Sequence, residues 1–216
     1  MKVITFAHQK GGVGKTTLSL NVAHSLIKLG FKVALIDTDK QGSTYKFGKG
    51  YTNLDVFALN GEDFDFSTLT DKYDYAIIDT PPYNTSVYDD IFAESDIILI
   101  PSSPSPADVA EVRTTTGIVR KAMIKAKNDY GTNLKAFIII NRQIVTSNLF
   151  KQVQSEFELI KEEENIACFN TQIENRIELP RALVLADGIF STPDKKAQKQ
   201  FLDLTAEILN GLSNGE

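Results

Sequence analysis

The sequence predicts an α/β fold, with a mostly parallel sheet of about seven strands and helices on both of its faces. Short apolar runs recur along the chain, segments with apolar residues at helical spacing lie between them, and 216 residues are enough to cover a sheet on both faces. Strands that alternate with helices are typical of a parallel sheet. The apolar runs lie at 3–7, 32–36, 54–57, 75–78, 97–100, 135–140 and 166–171.

The first apolar run leads into a glycine-rich segment, QKGGVGKTT at residues 9–17, which is followed by a helical pattern. Apolar residues of that pattern recur at Leu18, Val22, Leu26 and Leu29. A strand, a glycine-rich loop and a helix in this order form the context of a phosphate-binding loop. The segment therefore predicts a nucleotide site at the start of the first helix.

The residue types of this loop suit a polyphosphate and a divalent metal. Glycines at 11, 12 and 14 let backbone N–H groups surround phosphates, and the start of the helix favours an anion. Lys15 is expected to reach the β- and γ-phosphates, and the Thr16 hydroxyl to ligate Mg²⁺. The expected nucleotide-binding residues of this loop are Gly11, Gly12, Val13, Gly14, Lys15, Thr16 and Thr17.

The loop departs from the standard motif at its beginning, where Gln9 replaces the first glycine and a second lysine, Lys10, follows. Taken alone, Lys10 is an ordinary solvated loop lysine. The run KGGVGKTT, however, resembles the deviant Walker A motif of the ParA/Min superfamily of ATPases. This resemblance implies that Lys10 crosses a nucleotide-sandwich dimer to the phosphates bound by the partner subunit.

Two carboxylates, Asp37 and Asp39, follow the second apolar run. Ligands bind at the carboxyl ends of parallel strands, although an aspartate there can also simply cap a helix. The segment at residues 37–41 resembles the Walker A′ segment of the family, in which Lys40 takes the place of a proline. The resemblance implies that Asp39 positions the hydrolytic water and joins Lys10 and Lys15 as a catalytic residue, while Asp37 supports the metal site.

Asp79 ends another apolar run and is followed by Thr80, Pro81 and Pro82. Without the glycine-rich loop it is an ordinary aspartate at the end of a strand. Together with that loop it resembles Walker B, in which the carboxylate holds Mg²⁺ through its water shell. The expected metal residues are thus Thr16, Asp37 and Asp79.

Asn141 and Arg142 follow the run at 135–140. The family uses an asparagine at the end of this strand to hydrogen-bond the adenine base. The resemblance therefore implies that Asn141 contacts the base, and it leaves Arg142 without an assigned role.

Several segments carry basic residues that are either solvated surface or contacts to a DNA backbone. Ser105 as N-cap, Pro106 at the first position and Asp108 at the third predict the start of a basic helix. A final helix is expected to begin at 192–194 and to bury a stripe that includes Phe201 and Leu204. The basic residues are Arg113, Arg120, Lys121, Lys125 and Lys127 in the first of these helices, Arg176 and Arg181 after the last strand, and Lys195, Lys196 and Lys199 in the final helix.

Residues 42–71 are the least readable part of the chain, with a short strand expected at 54–57 and a short helix at 67–72. A further amphipathic helix is predicted by the spacing of Leu149, Val153, Phe157 and Ile160.

Composition excludes several classes of protein. The net charge of −5 means that any binding to nucleic acid needs a local basic patch. Cys168 is the only cysteine, which excludes a disulfide framework and an Fe–S cluster held within one chain. No apolar run is long enough to span a bilayer, and the residues before the first strand leave no room for a signal peptide. We therefore expect a cytoplasmic protein with no membrane partner.

The resemblance covers nearly the whole chain and is closest to the small plasmid-partition ATPases of the ParA type. It implies one ATPase domain over residues 1–216, with no N-terminal helix-turn-helix domain. ATP and Mg²⁺ would form a homodimer that binds DNA without sequence preference, so that the protein associates with the nucleoid. A centromere-binding adaptor similar to ParB or ParG would then stimulate the slow hydrolysis and release the DNA.

Two other functions stay open at this stage. One is a Min-like or cargo-positioning ATPase, although Asp203 and Glu207 in the final helix disfavour binding to anionic lipid. The other is a metabolic enzyme on the same fold, such as an ATP-dependent synthetase, for which the sequence offers no second substrate site.

Overall fold

The structure, a computed structural model, describes residues 1–39, 43–48, 50–59, 66–82, 88–143 and 149–213. Within these ranges helices alternate with strands for most of the chain, as the apolar pattern predicts. The strands are β1 (Lys2–Phe6), β2 (Val33–Asp37), β3 (Asp55–Ala58), β4 (Tyr75–Asp79), β5 (Ile97–Ser102), β6 (Lys135–Gln143), β7 (Ala167–Cys168) and β8 (Ile173–Glu174). The helices are α1 (Lys15–Lys28), α2 (Ser43–Gly48), α3 (Tyr88–Ala93), α4 (Pro106–Lys125), α5 (Leu149–Glu164), α6 (Glu178–Ala182) and α7 (Lys195–Ser213).

The strands form one sheet in the order β3-β2-β4-β1-β5-β6-β7, and β8 also pairs with β6. The pairings found among the described residues are parallel, which confirms the predicted α/β class. In the register of β2 and β4, Asp37 lies opposite Asp79. Two of the expected site carboxylates therefore end neighbouring strands at the same edge.

Helices cover both faces of the sheet because successive strand residues point to opposite sides. Val3 packs in one cluster with residues of α3, α4 and α5, whereas its neighbour Ile4 packs in a second cluster with residues of α1, α6 and α7. The fully buried Phe6 and Phe201 belong to the second cluster. Burial on both faces explains why the central strands read as continuous apolar runs rather than as alternating ones.

Some sequence expectations need correction in the second half of the chain. The strand expected at 166–171 is shortened to Ala167–Cys168, and Ile173–Glu174 forms an additional short strand, β8. Helix α7 begins at Lys195, and Asp194 caps it by accepting a hydrogen bond from the Ala197 N–H group. The expected start at 192–194 is therefore one to three residues early.

In the first half of the chain the helix expected at 67–72 is a 3₁₀ turn at Phe66–Leu69. Helices α2, α3 and α6, which have five or six residues each, were not predicted from the sequence. Such lengths are too short to show a helical apolar repeat.

None of the described helices is long and apolar enough to cross a membrane.

Candidate nucleotide-binding site

The glycine-rich loop joins β1 to α1 and presents the N-terminus of α1 to an open cavity. Gly14 is the N-cap of this helix with φ of 102°, and Gly12 has φ of 77°, a region that residues with side chains rarely adopt. The helix has no side-chain cap and no acidic residue in its first turn. Its first N–H groups are therefore available to an anionic ligand, as predicted for a phosphate-binding loop.

Asn141 packs directly beneath this loop. Its Nδ2 atom donates a hydrogen bond to the carbonyl oxygen of Val13 at 2.8 Å. A Cβ atom at position 14 would lie 2.2 Å from the same Nδ2, so Gly14 is required by close approach as well as by its backbone angle. In this arrangement Asn141 supports the loop, and its contact with a base stays a prediction.

Lys15 is folded back over the loop that contains it. Its Nζ atom donates to the carbonyl oxygens of His8 at 3.1 Å and of Lys10 at 3.2 Å, and the residue is only 6% exposed. Burial lowers the pKa of Lys15, while the carboxylates of Asp79 and Asp39 act in the opposite direction. The ammonium group is thus held in the cavity, at the place where a phosphate-binding lysine is needed.

Lys10 occupies a different position, at the outer edge of the loop. Its Nζ atom lies 2.5 Å from Oδ1 of Asp108 in the first turn of α4, and 39% of its side chain is exposed. Oδ2 of Asp108 accepts a hydrogen bond from the Ser103 hydroxyl. Although burial raises the pKa of Asp108, these two bonds bring it below its usual value, so the carboxylate is charged.

Asp79 lies at the inner end of the cavity and receives two hydroxyl groups on one oxygen. Its Oδ2 accepts hydrogen bonds from Thr16 at 2.7 Å and from Thr44 at 3.0 Å. Burial, opposed by the Thr16 hydroxyl and reinforced by the charge of Asp37, raises the pKa of Asp79 to about 6. A nearby cation would offset this cost of a buried charge.

Whether a metal ion fits this site can be judged from the second carboxylate oxygen of Asp79. Oδ1 is buried and has no hydrogen-bond partner among the described residues. Buried polar atoms without a hydrogen-bond partner are rare. A carboxylate oxygen in this state, next to a threonine hydroxyl, suits Mg²⁺ with its water shell. The expected metal residues Thr16 and Asp79 are therefore in contact, and the donors fit the ion.

Asp37 and Asp39 come from the end of β2 and its following turn. Asp37 is 1% exposed, and its two oxygens accept hydrogen bonds from the Asp39 N–H at 3.0 Å and the Tyr45 N–H at 2.9 Å. Burial raises the pKa of Asp37. Asp37 thus organises the segment that carries Asp39, and Asp39 itself lines the cavity.

Two cavities meet at this edge of the sheet and share Gly14, Thr17 and Arg142. The larger has a volume of about 320 Å³ and contains the phosphate-loop glycines together with Asp39 and Asp79. The smaller, of about 180 Å³, extends from Asn141 toward α6. The two cavities therefore lie side by side, one at the expected phosphate site and one at the expected base site. The smaller cavity is lined by Gly14, Thr17, Asn141, Arg142, Asn175, Arg176, Leu179 and Pro180.

Arg142 lines both cavities and lies at a distortion in β6. The pairing of β6 with β8 shifts register between Asn141 and Gln143, and Arg142 adopts φ of 57°. Its exposed guanidinium forms no ion pair with any residue that the structure describes. No role could be assigned to Arg142 from the sequence because the short strand β8, with which this part of β6 pairs, carries almost no pattern.

The basic segments are less available than the sequence suggested. Arg113 binds Glu156 and Glu163 of α5, and Arg120 binds Glu164 of the same helix. The sequence shows few acids within α4, but the fold supplies them from α5. The expected DNA contacts thus include arginines already engaged in ion pairs.

Four of the basic residues expected as DNA contacts toward the end of the chain also lie in ion pairs. Arg176 binds Glu174 and Asp194, and Arg181 binds Glu178. Lys196 binds Glu174 and Lys199 binds Asp203.

Three site residues were missed or misread by the sequence analysis. Asp108 was read only as a helix-start residue, and Thr44 and His8 were not considered. His8 is buried, and its Nδ1 accepts the N–H of Lys10 at 3.0 Å. Asp108 and Thr44 reach the site from 98 and 35 positions away, respectively, and no local pattern reports such contacts.

The chain is similar to proteins of known family over most of its length. A ParA family protein of Mycoplasma genitalium is 26% identical to this chain, and the alignment covers 96% of this chain and 97% of that protein. The maintenance of carboxysome distribution protein A of Halothiobacillus neapolitanus is 26% identical over 196 residues, which cover 87% and 86% of the two chains.

Solved structures show the same fold at lower identity. A variant of Cyanothece McdA in complex with ATP has a TM-score of 0.70 and 18% identity, with 97% of this chain and 96% of that chain covered. The pNOB8 ParA bound to nonspecific DNA has a TM-score of 0.67 and 19% identity, with 100% and 99% covered. The model of the family described as the CobQ/CobB/MinD/ParA nucleotide binding domain matches residues 4–185, and the chain therefore belongs to this family of P-loop ATPases.

Proposed function

We propose that this protein is an ATP-dependent DNA-segregation ATPase that acts as a nucleotide-switched homodimer. The observation that carries the proposal is the division between the two lysines of the loop. Lys15 is 6% exposed and faces its own cavity, whereas the side chain of Lys10 is 39% exposed at the outer edge. In this proposal Lys15 serves the nucleotide of its own subunit, and Lys10 serves that of a second subunit.

The proposed substrate is ATP with Mg²⁺. The phosphates bind to the N–H groups at the start of α1 and to Lys15, and the base enters the cavity beside Asn141. Thr16 and Asp79 hold Mg²⁺, with Asp37 supporting the same edge of the sheet. The ion neutralises charge on the β- and γ-phosphates when it is bound.

Hydrolysis then depends on Asp39, which lines the phosphate cavity. In the proposed mechanism Asp39 orients a water molecule in line with the γ-phosphate, and Lys15 stabilises the charge that develops on the phosphate oxygens. Few other groups of the subunit orient the water, so we expect slow turnover in the absence of an activator. A ParB- or ParG-like adaptor is the proposed activator.

The dimer is proposed to bind DNA without sequence preference and to associate with the nucleoid in the cytoplasm. A net charge of −5 makes DNA binding by one subunit weak, and a dimer sums the basic patches of two subunits. The fold-level likeness to pNOB8 ParA, which is described with nonspecific DNA, supports this choice. Residues 1–216 act in this scheme as one ATPase domain.

A cargo-positioning ATPase is the second candidate function. It is favoured by the similarity to the carboxysome distribution protein over 87% of this chain. In that case the switch would be the same and the cargo would differ.

The proposal is tested by DNA binding of the Asp39→Ala protein, measured with ATP·Mg²⁺ and with ADP at two salt concentrations. We expect binding to duplex DNA only with ATP·Mg²⁺, and weaker binding at higher salt because phosphate contacts release counterions. Asp129→Ala, which removes an exposed acid in the π-helical turn Ala126–Tyr130 after α4, is the matched control and should behave as wild type. Absence of DNA binding in both nucleotide states would overturn the DNA-segregation proposal.

A further inference from the structure

We propose that Thr44 positions the Asp79 carboxylate for Mg²⁺. Thr44 lies in α2 and is 1% exposed. Its hydroxyl donates to Oδ2 of Asp79 at 3.0 Å across 35 positions of sequence. A threonine in a short helix does not need to direct its hydroxyl inward to a carboxylate. This contact therefore indicates that Thr44 has a role at the proposed metal site.

The contact fixes how Asp79 is oriented. Oδ2 accepts both the Thr44 hydroxyl and the Thr16 hydroxyl, the latter at 2.7 Å, so the two donors hold the same oxygen from two elements. Oδ1 is left buried and without a hydrogen bond in the described part of the chain. Thr44 therefore keeps Oδ2 engaged and leaves Oδ1 for the water shell of the ion.

Thr44 is one of two groups that link α2 to the carboxylates at this edge of the sheet. Asp37 accepts hydrogen bonds from the N–H groups of Asp39 at 3.0 Å and of Tyr45 at 2.9 Å. Thr44 adds a side-chain link from α2 to Asp79. Hydrogen bonds therefore connect Asp39 and α2 to the two carboxylates that end β2 and β4.

A purely structural role for Thr44 makes a different prediction. If the hydroxyl only satisfied a buried carboxylate, its removal would lower stability and leave the affinity for Mg²⁺ unchanged. If it positions the carboxylate, the affinity for Mg²⁺ falls while binding of the metal-free nucleotide is retained. Outer partners of metal ligands typically contribute roughly 10–100-fold to metal affinity.

The experiment titrates MgCl₂ into wild type, Thr44→Val and Thr44→Ser in the presence of a fluorescent ATP analogue. We expect Thr44→Val to raise the Mg²⁺ concentration at half-saturation about tenfold or more. Thr44→Ser retains the hydroxyl and should stay close to wild type. Thr70→Val is the matched control, because the exposed Thr70 bonds only its own turn through the carbonyl of Phe66 at 3.2 Å.

A check of folding and a second substitution ensure that the experiment can contradict the inference. Circular dichroism checks the fold of each variant, and Thr44→Ala replaces Thr44→Val if the larger side chain prevents folding. An unchanged Mg²⁺ titration in a folded Thr44→Val or Thr44→Ala protein would overturn the inference. The inference rests on the proposed function, and wild-type protein that binds no ATP analogue would contradict that function instead.

Discussion

Lys10 and Asp108 form an ion pair between the phosphate-binding loop and the first turn of α4, with Nζ 2.5 Å from Oδ1. The carboxylate is held from its other side by the Ser103 hydroxyl, and the Asp108 N–H is bonded to Oγ of the cap residue Ser105 at 3.2 Å. In the isolated subunit, therefore, Lys10 already has an anionic partner. The proposed dimer requires Lys10 to exchange this carboxylate for the phosphates of the other subunit.

The first prediction concerns Lys10 itself. Lys10→Ala should lose ATP-dependent dimer formation, because no other loop side chain takes its exposed position, and should still bind ATP through Lys15. Light scattering with and without ATP·Mg²⁺ measures the first effect, and titration with a fluorescent nucleotide measures the second. A Lys10→Ala dimer that forms as in wild type would show that this lysine is an ordinary loop residue.

The second prediction concerns the partner of this lysine. Asp108→Asn keeps an acceptor for Ser103 but removes the charge that holds Lys10, so the dimer should form at a lower concentration of ATP. The shift should be about two- to fivefold, since a partly exposed ion pair contributes roughly 0.2–1 kcal/mol. Asp203→Asn, which breaks the exposed pair with Lys199, is the control and should leave the ATP dependence unchanged. If the Asp108→Asn protein needed a higher concentration of ATP than wild type to form the dimer, this would contradict the proposal that Lys10 exchanges Asp108 for phosphates.

The third prediction addresses Lys15. Lys15→Ala should abolish ATP binding, because the ammonium group buried in the cavity is the main charge available to the β- and γ-phosphates. Its two bonds to the carbonyl oxygens of His8 and Lys10 are lost as well, so thermal unfolding must be measured beside the nucleotide titration. Tight ATP binding by folded Lys15→Ala protein would refute the assignment of the loop.

Site residues of this chain could be predicted from the sequence where their partners are close in the sequence or where they end a recognisable strand. The loop at residues 9–17 was readable because glycine, lysine and threonine act there within a few positions of one another. Asp37 and Asp79 were readable because each ends an apolar run, and strand register then brings them opposite each other. The pairing of Lys10 with Asp108 depends on how α4 packs beside the loop, and no local pattern encodes it.

The ion pairs of the basic residues and the shortest strands could not be predicted for the same reason, because they depend on segments that are distant in the sequence. Arg113 and Arg120 look unopposed in the sequence of α4, and only the packing of α5 supplies the glutamates that bind them. The two-residue strand β8 is too short for a period-two signal, yet its pairing with β6 shifts register at Arg142, which lines both cavities.

The fourth prediction tests Arg142 as a phosphate contact. Arg142→Asn removes the charge while tolerating the observed φ of 57°, since asparagine adopts this region more readily than most residues. We expect affinity for ATP to fall about tenfold, as for one charge-assisted hydrogen bond, and affinity for adenosine to stay the same. Arg181→Asn, an exposed arginine of α6, is the control. Equal losses for ATP and adenosine would indicate damage to the pocket rather than a lost phosphate contact.

The fifth prediction is a pH dependence of stability that originates at His24. This imidazole is 2% exposed, its Nε2 has no hydrogen bond within the described residues, and burial lowers its pKa to about 4. The unfolded chain takes up the proton near pH 6.5, so stability is complete above that pH and is lost as the pH falls toward 4. The loss assigned to His24 between pH 7.5 and 5.0 should be about 2 kcal/mol.

Urea unfolding of wild type and His24→Gln at both pH values measures this loss. The glutamine variant should be less stable at pH 7.5, because it fits less well beside Gly188 and Tyr51, but should lose less stability on acidification. His8 also has a pKa of about 4, and Asp79, with a pKa of about 6, gains stability at acid pH. Both remain in the variant, so the difference between the two proteins isolates His24. Parallel losses in both proteins would show that His24 does not control the acid response.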